Sequence, residues 1–435
     1  MTLLADIESW GRVSRGPHRL TVPAFLNEAS GAVTGCTRSI LALGAARSYG
    51  DVCLNREGEL VRTTALDRLI AADWSTGIIR AEAGLTLDAL LRIVVPKGWF
   101  LPVTPGTKFV TLGGAVANDV HGKNHESAGT IGCHVRRIGL GRSSGELLEL
   151  SDDDNVDLFQ ATIGGLGLTG LILWVELMLK PIGSSDIGAE TLAIADLDHF
   201  FRLAQESADW EYTVAWVDCL APGKRLGQGL FTRGRHRPRG ALRVHRQPRL
   251  AVPLDAPSGL LNSVTVRLFN LAYRHRPWSL GHRTVHYDPF FYPLDSVVAW
   301  NRLYGPRGFH QHQSIVPSGK AVAAIQRLLS LTADHQQGSF LVVLKLLGGR
   351  KSPGLLSFPM AGATLAVDVP NRGERTNKLL RAMTDVVMDV GGRIYPAKDA
   401  LMPAEAFRLG FPNWTKLEAL RDPKFMSDFW RRVTQ

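Results

Sequence analysis

Cysteine is scarce. Cys36, Cys53, Cys133 and Cys219 are the only four in 435 residues and none forms a CxxC pair, which excludes a zinc-ribbon site and a disulfide scaffold and points to a reducing compartment. Long apolar runs are also missing. The most apolar stretch, Leu166 to Leu179, contains Glu176 and falls short of the roughly 20 apolar residues that span a bilayer. The first ten residues carry Asp6 and Glu8 where a secretion signal would be basic, so the expectation is a cytoplasmic chain, with peripheral membrane contact left open. Internal repeats and low-complexity tracts are absent, and no metal site is expected.

Acids are missing from one stretch. None lies between Asp218 and Asp255, whereas Lys224, Arg225, Arg233, Arg235, Arg237, Arg239, Arg243, Arg246 and Arg249 all do. That run accounts for much of the net charge of +10, and its Pro and Gly content argues for loop. Such a segment suits nucleic acid, an anionic membrane or a phosphorylated substrate, or is simply a solvated loop. Only Phe231 interleaves with the basic residues as a stacking platform, which weighs against nucleic acid. Leu260, Leu261, Phe269 and Leu271 follow, so 224–276 is the candidate for peripheral membrane contact.

What is present is a globular composition, 45% hydrophobic and 21% charged, enough for two or three cores. Short apolar segments at Ser39–Gly44, Leu60–Thr63, Ile78–Ala83 and Leu171–Leu179 read as strands. Thr86–Lys97 and Val156–Ile163 read as helices, the second started by Asp152–Asp154. Further on, the pattern predicts helices over Leu197–Ala208, Lys320–Leu331 and Arg375–Val390. Strands are predicted at Tyr212–Asp218, Val285–Tyr292, Gln311–Val316, Phe340–Leu346 and Thr364–Val369. The fold class is α+β.

The 44 glycines cluster. Three loops stand out: Gly44-Ala-Ala-Arg-Ser-Tyr-Gly-Asp51, Pro105-Gly-Thr107, and Thr111-Leu-Gly-Gly-Ala-Val-Ala-Asn-Asp-Val-His-Gly-Lys-Asn124. None is a Walker A or a GxGxxG after a strand. Exposed backbone amides with the hydroxyls of Ser48, Thr107 and Thr111 can cradle a pyrophosphate, whereas any one loop alone is more often a turn.

The order of these loops, followed by Ala161-Thr-Ile-Gly-Gly-Leu-Gly-Leu-Thr-Gly170, Tyr304-Gly-Pro-Arg-Gly-Phe309, Gln311-His-Gln313, Lys345 and Tyr395-Pro-Ala-Lys-Asp399, resembles the vanillyl-alcohol-oxidase type of FAD-binding protein. Within it, the chain looks like the prenylphosphoribose oxidases. The resemblance covers nearly the whole chain. It implies a two-subdomain PCMH-type FAD-binding domain over 1–183, a sheet-based substrate domain over 184–370, and a C-terminal segment, 371–435, that packs back on the first.

By that resemblance Arg47, Ser48, Tyr49, Gly50, Pro105, Gly106, Thr107, Gly113, Gly114, Asn118, His121, Gly122, Asn124, Gly170, Tyr395 and Lys398 bind FAD. Lys398, His121 and Tyr49 are the catalytic candidates. Lys123, Trp216, Gln311, Gln313 and Lys345 face the substrate. His121 reads nearly as well as a buried structural histidine, and Tyr49, Tyr395 and Trp216 have core as their alternative. Many relatives tether the flavin through a histidine where this chain has Arg47, which lacks a nucleophilic nitrogen, so the implied FAD is non-covalent. The implied reaction oxidises a sugar hydroxyl of a polyprenyl-phosphate ribose, with a short-chain reductase as partner. Departures surround the sugar: Ala366 stands where the family has a cysteine two residues before Asp368, Thr364 where it has asparagine, and Leu347 where it has an aromatic residue. A soluble sugar-alcohol or aldonolactone oxidase is the second reading, and a non-catalytic flavin- or nucleic-acid-binding protein the third.

Overall fold

The computed structural model describes residues 2–244, 250–257, 259–275 and 280–435. Three sheets organise it. A mixed sheet holds, in spatial order, Thr2–Glu8, Arg15–Thr21, Glu59–Arg62 and Ile40–Leu43. An antiparallel sheet follows, ordered Leu69–Asp73, Ile78–Glu82, Leu171–Met178, Val135–Gly141 and Leu147–Ser151. The largest has eight strands: Gly281–His286, Asp186–Ile194, Gly229–His236, Tyr212–Val217, Val342–Leu347, Gly362–Pro370, Phe309–Pro317 and Arg393–Ile394.

Local chemistry explains several boundaries. Helix Leu87–Val94 starts where the Thr86 hydroxyl accepts from Ala89 N and buries Leu87, Leu90, Leu91 and Val94 against the second sheet. It ends in a 3-10 turn at Gly98, whose φ of +83° lies in the left-handed region that glycine tolerates. On the large sheet, helices Ala321–Asp334 and Glu374–Asp389 cover one face with Ile325, Leu328, Leu379 and Met383. The opposite face, through Gln311, Gln313, Lys345, Thr364 and Ala366, lines a cavity.

Several elements depart from the sequence-based expectations. Val285–Tyr292 is not one strand. Strand Gly281–His286 gives way to the short helix Tyr287–Phe291, whose first turn holds Pro289 and is capped by His286, because proline donates nothing to a ladder but fits a helix start. The basic run is not all loop either. Strand Gly229–His236 carries Arg233 and Arg235, and Arg233 lies opposite Glu190 in register and is ion-paired with it. Arg246, Arg249 and Arg276 lie outside the described residues. Asn155 (φ +55°), not Asp152–Asp154, stands at the N-cap position of helix Val156–Thr162, with no side-chain cap bond. Helix Glu374–Asp389 stays with the large sheet, beside Ala321–Asp334. The chain meets the N-terminal loops from the turn Pro396–Lys398 onward, and Phe425 bridges Ile40. Among the described residues no helix is long and apolar enough to cross a membrane.

Candidate active site

A cavity of about 850 Å³ lies between the N-terminal loops and the large sheet. The Gly44–Asp51 loop reaches it because the chain is zipped to the distant turn at 395–399. Tyr49 N donates to Ala397 O at 3.0 Å, and Gly50 packs so tightly that a Cβ there would lie 1.7 Å from Asp399 O. Arg432, on the last helix, ties the two together. Its guanidinium donates to both Asp51 carboxylate oxygens at 2.9 Å and to Asp399 Oδ2 at 3.0 Å. The two distant segments are thereby fixed across the cavity, with Lys398 Nζ 3.8 Å from the centre of the Tyr49 ring.

The other glycine loops complete one wall. Thr111 caps helix Leu112–Ala117, and the tight fit of Gly44 on Thr111 and of Gly113 on Ala83 brings bare backbone to the surface. Asp119 adopts a φ of +41° and turns the chain toward His121. Its buried carboxylate accepts from Gly132 N and from the Ser352 and Ser357 hydroxyls, which locks that turn. Only the Asn118-Asp119 pair hints at it in the sequence.

Most predicted site residues meet here. Arg47, Ser48, Tyr49, Pro105, Gly106 and Thr107 line the cavity, as do Gly113, Gly114, Asn118, Gly122, Gly170 and Tyr395. Two do not. Gly50 is turned toward Asp399, and Asn124 holds Pro102 O at 2.8 Å behind the wall. Nor are all the hydroxyls free for a pyrophosphate: Thr107 Oγ1 accepts from Phe109 N at 3.3 Å and its proton goes to the Asp295 carboxylate, whereas Thr111 Oγ1 accepts from Gly114 N at 3.2 Å and keeps its proton to donate. Tyr395 stacks on Phe358 at 4.7 Å and gives its hydroxyl hydrogen to Asn118 O, so it is both wall and brace.

The second wall is charged. Lys345 Nζ approaches Gly122 O at 3.4 Å, and Lys123 Nζ donates to Phe290 O over that residue's ring. Burial lowers Lys345 to about 8; burial and then repulsion from Lys345 lower Lys123 to about 7. Lys398 is lowered mainly by burial, against the opposing pull of Asp368. His121 is pushed well below its ordinary value by burial and then by Lys345, and is therefore neutral. Its Nε2 lies 3.0 Å from Gln313 Nε2, which puts the ring proton on Nδ1 when the amide donates. Gln311 donates to Asp368, whose carboxyl burial raises above its usual range. Asp368, which the sequence located without a role, lies outside the cavity lining but its charge bears on Lys398; its signal is a carboxylate on the Thr364–Ala366 face of a buried strand. Trp216 Nε1 donates to Phe340 O at 2.9 Å, leaving its ring on the cavity wall.

A strap also went unread. Residues 288–300 border the cavity, anchored where Asp295 accepts from Lys108 N at 2.8 Å, Tyr292 meets Thr104 at 2.6 Å, and Lys108 Nζ pairs with Asp288 and Asp88.

The cavity suits a flavin dinucleotide. It is walled by bare backbone, and three buried polar atoms on residues of its lining have no partner among the described residues: Arg47 Nε, Asn118 Oδ1 and His121 Nδ1. In a protein interior such atoms are normally satisfied, which marks them for a polar ligand. Residues 22–151 match the model of an FAD binding domain. The chain is 34% identical over 417 residues to the decaprenylphosphoryl-beta-D-ribose oxidase of Mycolicibacterium smegmatis, covering 91% of this chain and 89% of that one. An uncharacterized protein of Streptomyces coelicolor is 32% identical, over 80% of this chain and all of its own length. The L-gulono-1,4-lactone dehydrogenase of Mycobacterium tuberculosis is 22% identical across 91% of the chain and 90% of its own. With the glycine loops, the charged wall and this coverage together, the chain belongs to the decaprenylphosphoryl-beta-D-ribose oxidase family and is an FAD-dependent oxidoreductase.

Proposed function

We propose that the protein oxidises the 2′-hydroxyl of a polyprenylphosphoryl-β-D-ribose to the ketone, with FAD held non-covalently and a short-chain reductase acting on the product. The observation that carries this reading is the lysine wall. Lys123, Lys345 and Lys398 converge on one buried cavity, and among the described residues Asp368 is the only carboxylate whose charge bears on any of them. Buried ammonium groups without counter-ions are costly unless a ligand brings the charge, and a phosphodiester does. Arg47, over the Trp10 ring at 4.1 Å, offers no atom for a covalent tether.

Bound FAD supplies the hydride acceptor. The chain's part is to hold the sugar and move the hydroxyl proton. Lys398, lowered toward neutrality, accepts that proton in its amine form or, as ammonium, orients the oxygen. Tyr49, whose phenol burial keeps protonated, places its ring beneath the lysine and limits its motion. Gln311 and Gln313 offer amides to the ribose, and Lys123 and Lys345 face the phosphate. The neutral His121, with Nε2 held by Gln313, would have Nδ1–H to donate to a bound flavin.

The aldonolactone reading draws support from the lactone dehydrogenase relative and from the altered positions Thr364 and Ala366 on the cavity wall, whereas Leu347 lies in the core, away from the lining. Anaerobic mixing with a short-chain prenylphosphoribose separates the two. Loss of flavin absorbance, slowed by deuterium at C2′, is the expected result; bleaching by L-gulonolactone but not by the phosphoribose would transfer the assignment to the lactone oxidases.

A further inference from the structure

One helix presents the wrong face to solvent. Ser263–Arg274 is N-capped by Asn262 in a capping box with Thr265, yet it buries only Val266 and Asn270 of its twelve residues. Asn270 donates to Asp218 at 2.6 Å and Arg274 to Gln228, so the polar positions face the protein. Outward, at i, i+4 and i+7, stand Val264, Leu268 and Leu271, which are 64%, 62% and 58% exposed. An ordinary surface helix does the reverse. Contiguous exposed apolar surface of this kind marks a docking site.

Charge identifies the occupant. From Cys219 to Tyr287 the chain has thirteen Lys or Arg and one acid, Asp255, and that acid is ion-paired with Arg12. Lys224 and Arg225 are exposed on the turn that leads to Gln228, and Arg267 is exposed on the helix itself. Leucines ringed by arginine, with no acid on the helix, fit the headgroup region of an anionic bilayer and repel a second copy of the same basic patch.

The patch is continuous with the cavity. Trp216 and Tyr273 both line it and their rings lie 4.7 Å apart; Tyr273 stacks on Phe269 at 5.6 Å, and Phe269 packs on Phe340 at the same spacing. An aromatic path therefore runs from the cavity wall to the outward helix face. We propose that helix Ser263–Arg274 docks the protein on an anionic lipid surface and that the Trp216–Tyr273–Phe269 path receives the hydrocarbon chain of a membrane-borne substrate. This rests on the lipid-phosphate reading above for the chain it guides, but the docking itself is measured apart from it.

The test is co-sedimentation of the FAD-loaded protein with vesicles of phosphatidylcholine alone or with phosphatidylglycerol, with L268E/L271E as the variant. Both positions are exposed, so the variant keeps its flavin spectrum and reduces with a short-chain soluble prenylphosphoribose as the parent does. Placing two carboxylates on the docking face is expected to weaken binding to phosphatidylglycerol vesicles by about tenfold or more, and salt is expected to weaken the parent. Equal sedimentation of parent and variant, no sedimentation of the parent, or a change only in self-association on ultracentrifugation would each overturn the proposal. Failure of the short-chain substrate to reduce the flavin would instead count against the substrate reading, whatever the vesicles show.

Discussion

The two walls of the cavity are built by opposite means. The N-terminal loops present backbone and small side chains whose hydrogen bonds are largely spent inside the protein, as with Thr111 on Gly114 and Asp119 on Gly132. The large sheet and the 395–399 turn present buried lysines with few charge partners among the described residues: no carboxylate bears on Lys345 or on the neighbouring Lys123, and Asp368 alone bears on Lys398. The first wall holds a large, constant ligand by shape. The second is where the proposed phosphorylated sugar would bring its charge, so on that reading cofactor affinity and substrate choice sit on different residues.

Substitutions can break that division. The largest effect is expected from Lys398→Met: flavin remains bound, while anaerobic flavin reduction slows by about 100- to 10,000-fold, the range for removing a positioned acid–base group. Gly50→Ala probes the zipper between the walls. A Cβ set against Asp399 O must part the Tyr49 loop from the Lys398 turn, and a shift of about 1 Å is expected to cost about 100-fold in kcat, with flavin lost on gel filtration. Lys345→Met should leave flavin retention intact and weaken binding of a non-oxidisable 2′-deoxy phosphoribose analogue by about 10- to 100-fold, the value of a charge-assisted contact. The smallest effect concerns pH. A phosphodiester keeps its charge, whereas Lys123 and Lys345 lose protons as pH rises through about 7 and about 8. Affinity for the analogue should therefore fall several-fold, by about 1 kcal/mol, between pH 6.5 and 9 in titration calorimetry, and fall less in Lys345→Met.

The same contrast governs what the sequence revealed. The glycine wall was legible because tight turns restrict composition: Gly44, Gly113 and the Thr-capped helix leave a readable string. The lysine wall came through the resemblance rather than from pattern, since a lone lysine looks like solvent-exposed charge until the sheet folds it inward. Helix Leu87–Val94 was readable from its period and its Gly98 stop. Helix Tyr287–Phe291 was not, because five residues are too short for a period and His286 caps in place of the usual hydroxyl. Arg233 looked like loop charge because its partner Glu190 lies 43 positions away. Arg432, near the end of the chain, carried no local sign that it joins Asp51 to Asp399; only the tertiary fold brings those carboxylates together.

The most direct test compares anaerobic flavin reduction by a short-chain prenylphosphoribose with that by the matching alkyl riboside, which lacks the phosphate. The account predicts that removing the phosphate lowers kcat/KM by about 100-fold or more, and that a Lys123→Met, Lys345→Met double variant reduces at similar rates with both. Equal bleaching of the parent protein by the two sugars would contradict it.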